Sequence, residues 1–326
     1  CMLLSLAIIF LVASPSSNAY MDPNSLYVES YISFNEKINV NTTAHIKLRD
    51  INTSQTIATC YTFSTGGYAI VDTPNNRIYE YSLTNSSPYF GQKGNCYYEG
   101  PFNYFIKSGS NFIHTLDHSE VSESELIKKV AKFTQYRASS KNSKSISEKL
   151  KELDSAKKSF SITSSASQRD LYGSLSTAWV SSYCGPTSAY IVLEYMGKLR
   201  ANHSDPEGEI IYISGFTGKG VNLDSLRNGI TNYLSTHSLS GTAYSCSYSF
   251  NTVKSKINVN TPITLGTDGH VQTIHGYRLE TISVNNKIYT LYTNDSWGSN
   301  DVAITYEINP DTPYPPSYLN DHVYID

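Results

Sequence analysis

Hydrophobic and polar positions alternate in short segments along the first half of the chain. β-Branched and aromatic residues dominate residues 45–51, 56–64, 68–73 and 77–83, and Asn, Gly and Pro separate these segments. Segments of this length and composition are typical of strands that are joined by short turns. The pattern therefore predicts an antiparallel sheet between residue 27 and about residue 116.

The pattern changes twice after this sheet. Residues 122–136 carry Leu126, Val130 and Phe133 on one stripe, which predicts an amphipathic helix. Residues 138–170 are rich in Ser and Lys and almost free of aromatic residues. That is the composition of a linker, and linkers are where proteases cut chains.

From residue 171 onwards, helices come first and strands later. An apolar stripe follows Cys184 at helical spacing, and Gly197 is placed to end that helix. A further helix and three strands are predicted at residues 222–236, 261–277, 287–294 and 301–308. This order favours an α+β region in which the helix that bears the Cys packs on an antiparallel sheet.

The start of the chain predicts export. Residues 2–13 form an apolar run that is too short to span a bilayer, and Ser17, Asn18 and Ala19 follow it as small or polar residues. We therefore expect a secreted or cell-surface protein without a stable membrane anchor. The predicted organisation is a signal peptide at 1–19, a β-rich domain at 20–137, a linker and processing zone at 138–170, and a second domain at 171–326.

The composition of the chain limits which partners and which disulfides are expected. The net charge of −3 over 326 residues, with no basic stripe, argues against nucleic acid. An exported chain can form disulfides, so Cys60 could pair with Cys96, and Cys184 could pair with Cys246. The alternative for Cys184 is a free, reactive thiol.

Cys184 is the strongest candidate for chemistry. It lies at the start of the predicted helix, where the helix dipole and free N–H groups favour a thiolate and can stabilise an oxyanion. His270 and His275 lie in one predicted strand and point to opposite faces, so only one of them can share a cleft with Cys184. A third ligand is not evident, and no metal or cofactor is expected. In the first half, His45, His114 and His118 have no evident partners in the sequence.

Three motifs, in order, resemble those of papain-superfamily cysteine peptidases, especially bacteriocin-leader peptidase-like and streptopain-like proteins. They are CGPTSA from Cys184, HVQTIHGY from His270 and NDSWG from Asn294. The resemblance implies a papain-like catalytic domain with a Cys184–His270–Asp295 triad, preceded by a propeptide-like domain. The supporting residues that it implies are Asn294, Trp297, Ser182 and Gly185.

The function implied is that of a secreted cysteine peptidase that is made as a precursor. Its substrate would be a peptide or protein, and its own N-terminal domain would act as inhibitor. One departure concerns the oxyanion hole: Ala178 stands where the family has a Gln, and Ser182 or Trp179 would have to substitute. The alternatives are a Cys-dependent acyltransferase or amidase on the same fold, and a weak or inactive binding module.

Overall fold

The computed structural model describes most of the chain. The described residues are 22–139, 144–159, 167–170, 176, 178–203, 205–220, 222–283, 286–299, 301–310 and 313–326. The predicted signal peptide lies outside them, as do residues 140–143 and 160–166 of the predicted linker. Within the described part, no helix has the length and apolar character needed to cross a membrane.

Mixed α and β structure runs along the whole described chain. Its helices are α1 Pro23–Glu36, α2 Glu123–Lys129, α3 Ala131–Ser139, α4 Ile146–Ser159, α5 Cys184–Tyr195, α6 Pro206–Thr217, α7 Leu223–Thr236 and α8 Phe250–Asn258. The strands of the first half are β1 Thr42–Arg49, β2 Thr56–Phe63, β3 Tyr68–Asp72, β4 Arg77–Ser82, β5 Cys96–Tyr98, β6 Tyr104–Ser108, β7 Asn111–His114 and β8 Glu120–Ser122. Those of the second half are β9 Ser167–Asp170, β10 Ala243–Ser247, β11 Ile263–Thr267, β12 His270–Ser283, β13 Asn286–Asn294, β14 Val302–Ile308 and β15 Asp321–Ile325.

One sheet contains all the strands of the described part. Its order is β10-β15-β11-β12-β13-β14-β4-β3-β2-β1-β5-β6-β7-β8, and β9 pairs with β12. The two halves of the chain meet where β14 pairs with β4, with Ala303 opposite Tyr81 and Ile304 opposite Glu80. The sheet is therefore continuous across the predicted linker, and the proposed division into domains stays a prediction.

Side chains also join the two halves. Arg278 of β12 is almost fully buried and contacts Glu36 at the end of α1 at 2.6 Å. Asp301 accepts hydrogen bonds from the main chain of Leu83 and Thr84, at 3.0 and 2.9 Å. The largest hydrophobic cluster contains residues from both halves. Because paired charges, main-chain bonds and the core all cross the boundary, the halves form one packed unit.

Most of the predicted elements are present, but the sheet predicted from residue 27 is preceded by helix α1, and the single strand predicted at 261–277 is the pair β11 and β12. The four predicted strands of the first half correspond to β1–β4, and the helices predicted after Cys184 and at 222–236 correspond to α5 and α7. The helix predicted at 122–136 ends at Val130 and restarts as α3, with Ser122 and Glu125 forming a capping box at its start. Helix α5 packs on β11 and β12, as expected for a helix on an antiparallel sheet.

The Ser- and Lys-rich segment is more ordered than its composition indicates. Within residues 138–170, α4 packs against α1, and Lys149 contacts Glu307 of β14 at 3.0 Å. Strand β9 pairs with residues 276–279 of β12. The described parts of this segment are therefore attached to the body of the protein.

All four cysteines in the described part have free thiols. Cys60 lies opposite Ile46 on β1, and Cys96 lies opposite Leu48 on the other edge of that strand. A whole strand thus separates the two cysteines, about 10 Å apart by strand spacing, which is too far for a disulfide. Cys246 contacts His322 through its sulfur at 3.1 Å rather than Cys184.

Candidate active site

Cys184 is the first residue of α5. The chain enters the helix through a turn in which Ser182 adopts a left-handed conformation, with φ of 66°. Pro186 occupies the first turn, where its missing N–H leaves no helical bond unmade. The residues that follow Cys184 are buried from Gly185 to Leu193, so the helix is fixed by its core face. The half-buried thiol is thereby held at the helix start.

The sulfur of Cys184 lies beside the start of β12. The main-chain N–H groups of Val271 and Gly185 are near the sulfur and act to lower its pKa. Burial raises the pKa of the Cys184 thiol, while these two N–H groups and the charge of Lys129 oppose the rise. In this arrangement the thiol form is favoured, although the groups that would stabilise a thiolate are in place.

His270 is the first residue of β12 and lines the same cavity as Cys184, a space of about 410 Å³. Its Nε2 lies 2.7 Å from the main-chain carbonyl oxygen of Asp295. Because a carbonyl oxygen only accepts, Nε2 carries the proton and Nδ1 keeps its lone pair. Burial lowers the pKa of His270 to about 3, against the effect of that carbonyl. No hydrogen bond joins the His270 ring to the Cys184 sulfur in the described part of the chain.

Three further predicted site residues, Asn294, Asp295 and Trp297, lie at the end of β13 and in the turn that follows it. The Asp295 carboxylate accepts hydrogen bonds from the N–H groups of Trp297 and Ser299, at 2.8 and 2.9 Å. It is the main-chain carbonyl of Asp295, not this carboxylate, that contacts the His270 ring. Burial raises the pKa of Asp295 to about 6 in spite of its two N–H donors. The role of its carboxylate in the triad stays a prediction.

Asn294 and Trp297 have separate places in this turn. The Asn294 side chain donates to the carbonyl of Ser176 at 3.0 Å and accepts from the N–H of Ser296 at 2.8 Å. The Trp297 ring is stacked on the His270 ring, with centroids 3.8 Å apart and planes 15° apart. Asn294 therefore fixes the turn, and Trp297 covers one face of the imidazole.

Phe102, from the first half of the chain, lies against His270 as well. The centroids of the two rings are 5.3 Å apart, and Phe102 is almost fully buried. Its φ of 67° is a left-handed conformation that bulky residues seldom adopt. The turn is held by Asn103, whose side chain donates to the carbonyl of Asp268 at 2.9 Å. The imidazole is thus enclosed by Trp297 from one half of the chain and Phe102 from the other.

A second histidine lies close to the cleft. The Nδ1 of His114 is 3.0 Å from a carboxylate oxygen of Asp117, and its Nε2 is 3.1 Å from the carbonyl of Phe102. The His114 ring also contacts Trp297, with centroids 4.8 Å apart. Burial would raise the pKa of Asp117, but the hydrogen bond and charge of His114 outweigh it and leave the pKa well below its usual value. The sequence analysis did not predict this pair. The three-residue spacing of His114 and Asp117 in HTLD is the feature that could have indicated it.

Two lysines line the cavity. Lys129, the last residue of α2, rests on Gly269, where an added Cβ would overlap its aliphatic chain. Lys219 follows α6, and its neighbour Gly220 places a carbonyl oxygen 2.6 Å from where a Cβ would be on Gly185. Glycines next to the candidate nucleophile and base therefore allow both lysine-bearing segments to approach closely.

None of the described residues that line the cavity is a Gln, the residue that the predicted oxyanion hole would require. Ala178 is half-buried and packs against the cluster under α5. Ser182 lines the cavity, whereas Trp179 is not among the residues that line it. The N–H groups at the start of α5 are the evident donors, with the Ser182 hydroxyl nearby.

His275 is buried in β12 and does not line the cavity. No group of three His, Cys, Asp or Glu side chains in the described residues is arranged to hold a metal ion.

Residues 163–320 match the model of the Peptidase_C39-like family. The match contains Cys184, His270 and Asp295, and it confirms the predicted resemblance to papain-superfamily cysteine peptidases. The more specific resemblance to leader-peptidase-like and streptopain-like proteins stays a prediction. Neither the curated proteins nor the solved structures gave a significant match to the chain.

Proposed function

We propose that the protein is a cysteine peptidase that cleaves peptide bonds with Cys184 as nucleophile and His270 as base. One observation carries the proposal: a cysteine at a helix start and a histidine at a strand start line one cavity, in the region that matches a family of cysteine peptidases. Helix starts favour thiolates, and neighbouring imidazoles accept their protons.

The proton transfer follows from the ring orientation of His270. Since Nε2 donates to the Asp295 carbonyl, Nδ1 is the atom that would take the thiol proton. The imidazolium that forms would keep its hydrogen bond to the carbonyl. The predicted role of Asp295 as orienting residue would then be performed at least by its main chain, with its carboxylate holding the turn.

The remaining steps are those of acyl transfer. The Cys184 thiolate attacks the peptide carbonyl, and the resulting oxyanion is stabilised by N–H groups at the start of α5. His270 then protonates the leaving amine, the C–N bond breaks, and a thioester to Cys184 remains. Water, deprotonated by His270, attacks the thioester and releases the acid and the thiol.

We also propose that the full-length chain is a precursor of low activity. Burial favours the neutral thiol of Cys184 and the neutral ring of His270, so the thiolate–imidazolium pair is not preformed. Phe102 from the first half encloses that ring. The predicted inhibitory role of the N-terminal half is supported by this contact, and export with removal of residues 1–19 belongs to the same proposal.

Selective alkylation tests the nucleophile and the base. Iodoacetamide labelling of the full-length protein is followed by peptide mapping from pH 5 to 10, on a Cys246→Ala background because that thiol is exposed. We expect labelling at Cys184 together with slow peptide hydrolysis, and loss of both in Cys184→Ala. In His270→Ala, hydrolysis should fall about 100-fold or more. Hydrolysis that persists in Cys184→Ala would refute the proposal.

The precursor is tested by comparing purified full-length protein with its Cys184→Ala variant over time. The expected result is cleavage between residues 138 and 170 in the first protein only, with a rise in peptidase activity as cleavage proceeds. The same extent of cleavage in the two proteins, or none in either, would rule out self-processing.

A further inference from the structure

We propose that the cleft accepts acidic residues on both sides of the scissile bond, and that Lys129 and Lys219 select them. This inference rests on the proposed peptidase function. It concerns which peptides bind beside Cys184, and it follows from where the two ammonium-bearing side chains are attached.

Lys129 extends from the end of α2, in the N-terminal half, and lies beside the segment that carries the base. Its aliphatic chain lies directly on Gly269, the residue before His270, and it lines the cavity. Its charge acts on both Cys184 and Asp117. In the described part of the chain it forms no salt bridge. A substrate that passes beside Gly269 therefore meets an ammonium group that lacks a direct carboxylate partner among the described residues.

Lys219 lies beside the segment that carries the nucleophile. The segment of Lys219 and Gly220 packs on Gly185, the residue after Cys184. Its ammonium lies 4.8 Å from the centre of the Tyr183 ring, a cation–π contact that places it next to the start of α5. Among the described residues, it too has no salt-bridge partner.

The other charges of the cavity do not cancel these two. Asp117 is the acidic residue among those that line it, and its carboxylate is bonded to His114 at 3.0 Å. Burial keeps the His270 ring neutral by lowering its pKa to about 3. The cleft therefore carries two ammonium groups, one attached beside the segment of His270 and one beside the segment of Cys184, and one carboxylate that already has a partner.

Two separated cations favour a substrate with two separated carboxylates. A peptide bound across Cys184 would pass Lys219 on one side of the scissile bond and Lys129 on the other. Glu or Asp side chains flanking that bond would pair with them, whereas Lys or Arg would be repelled. The preference should be greatest at low ionic strength, because the lysines are partly open to solvent.

The experiment uses two peptides that share one apolar segment. In the first peptide Glu residues flank this segment on both sides, and in the second peptide Gln residues replace them. We measure kcat/KM for cleavage by the full-length protein, and binding of the fluorescein-labelled peptides to Cys184→Ala by anisotropy. The variants are Lys129→Met and Lys219→Met, which keep length and remove charge. Lys93→Met is the control, since Lys93 is exposed and does not line the cavity.

We expect the Glu peptide to be favoured about tenfold in both measurements at low salt, with the preference reduced about threefold by each cleft variant and unchanged by the control. The preference should shrink as salt is raised. If neither peptide is cleaved but the Glu preference in binding persists, the inference stands and the peptidase proposal fails. Equal binding of both peptides to Cys184→Ala would overturn the inference, whatever the result for cleavage.

Discussion

The two walls of the cleft differ in how their residues are arranged. The C-terminal wall presents Cys184 at a helix start and His270 at a strand start, both from regions with motif-like sequence. The N-terminal wall presents Phe102 and the His114–Asp117 pair, which are held by turns and by contacts with the other half. In the proposed mechanism the C-terminal wall supplies the groups for bond cleavage, and we expect the N-terminal wall to influence the hydration and charge of His270.

The two histidines of the cleft differ in the hydrogen-bond partners of their ring nitrogens. His270 has one ring nitrogen on a carbonyl and the other available, whereas both ring nitrogens of His114 lie against oxygen atoms of its own half. A ring with a free lone pair can accept a proton, and a ring that is held on both sides is suited to a structural role. Location in the cleft alone does not make a histidine a base.

The largest expected effect is on peptide hydrolysis, and it tests the difference between His270 and His114. His270→Ala should lower kcat/KM for peptide hydrolysis by about 100- to 10,000-fold, because the proton acceptor is lost. His114→Ala should lower it less than tenfold, and should mainly reduce the melting temperature. Steady-state kinetics and thermal unfolding of both variants are the measurement. Equal losses of activity would show that the N-terminal wall participates in the chemistry.

Phe102→Ala tests whether the N-terminal wall controls the charge of the base. Removing the ring should hydrate His270 and raise its pKa from about 3 toward the usual 6.5, as measured by NMR titration of the imidazole. Because the unfolded chain binds the proton first, the wild type loses stability as pH falls below about 6.5, and the variant should lose less. The variant should also unfold about 3 kcal/mol more easily at neutral pH.

Phe112→Ala is the matched control for that variant. Phe112 is fully buried in the same half and packs on Tyr97, away from His270. It should cost similar stability without changing the pKa of His270. A His270 pKa that is equal in the two variants would mean that Phe102 only fills space.

The smallest of the three effects concerns a buried carboxyl at the junction of the halves. Glu80 of β4 lies opposite Ile304, is fully buried, and has one oxygen, Oε2, without a partner among the described residues. Burial raises the pKa of Glu80 to about 8, against the opposing effects of the Tyr104 hydroxyl, the Phe102 N–H and the Tyr68 hydroxyl, which donates to Oε1 at 3.5 Å. The carboxyl is therefore mostly protonated at neutral pH.

Glu80→Gln should be more stable than the wild type. A raised carboxyl pKa gives stability that is complete below about pH 4.5 and is lost as pH rises toward about 8, and Gln removes that loss. We expect the two proteins to match near pH 4 and to differ by about 2 to 3 kcal/mol at pH 7 in urea unfolding. Glu123→Gln, at an exposed carboxyl, should change stability by less than about 0.5 kcal/mol. A destabilised Glu80→Gln would show that the carboxylate form is needed.

The sequence allowed much of the C-terminal wall to be predicted. The stripe after Cys184 has strong helical spacing, and the strands around His270 are rich in β-branched residues, so local patterns were sufficient there. The placement of Cys184 and His270 in one cavity agrees with that prediction.

The N-terminal wall was not predicted, because it depends on contacts between distant residues. Asn103 contacts Asp268, which is 165 positions away, and no local pattern encodes that pairing. The junction of β4 with β14 consists of two residue pairs, too short to leave a signature in either strand. Helix α6 was missed for a different reason: it combines Gly with several Ile residues, which have low helix propensity, and buried packing stabilises it.

The continuity of the sheet has a consequence for how the gene could be divided. Since β4 and β14 pair edge to edge and the core is shared, the two halves should recognise each other even when they are translated from separate messages. Coexpressed fragments would then behave as a split protein whose cleft exists only after they meet. After a proteolytic cut between the halves, the two fragments should therefore stay bound to each other as one particle.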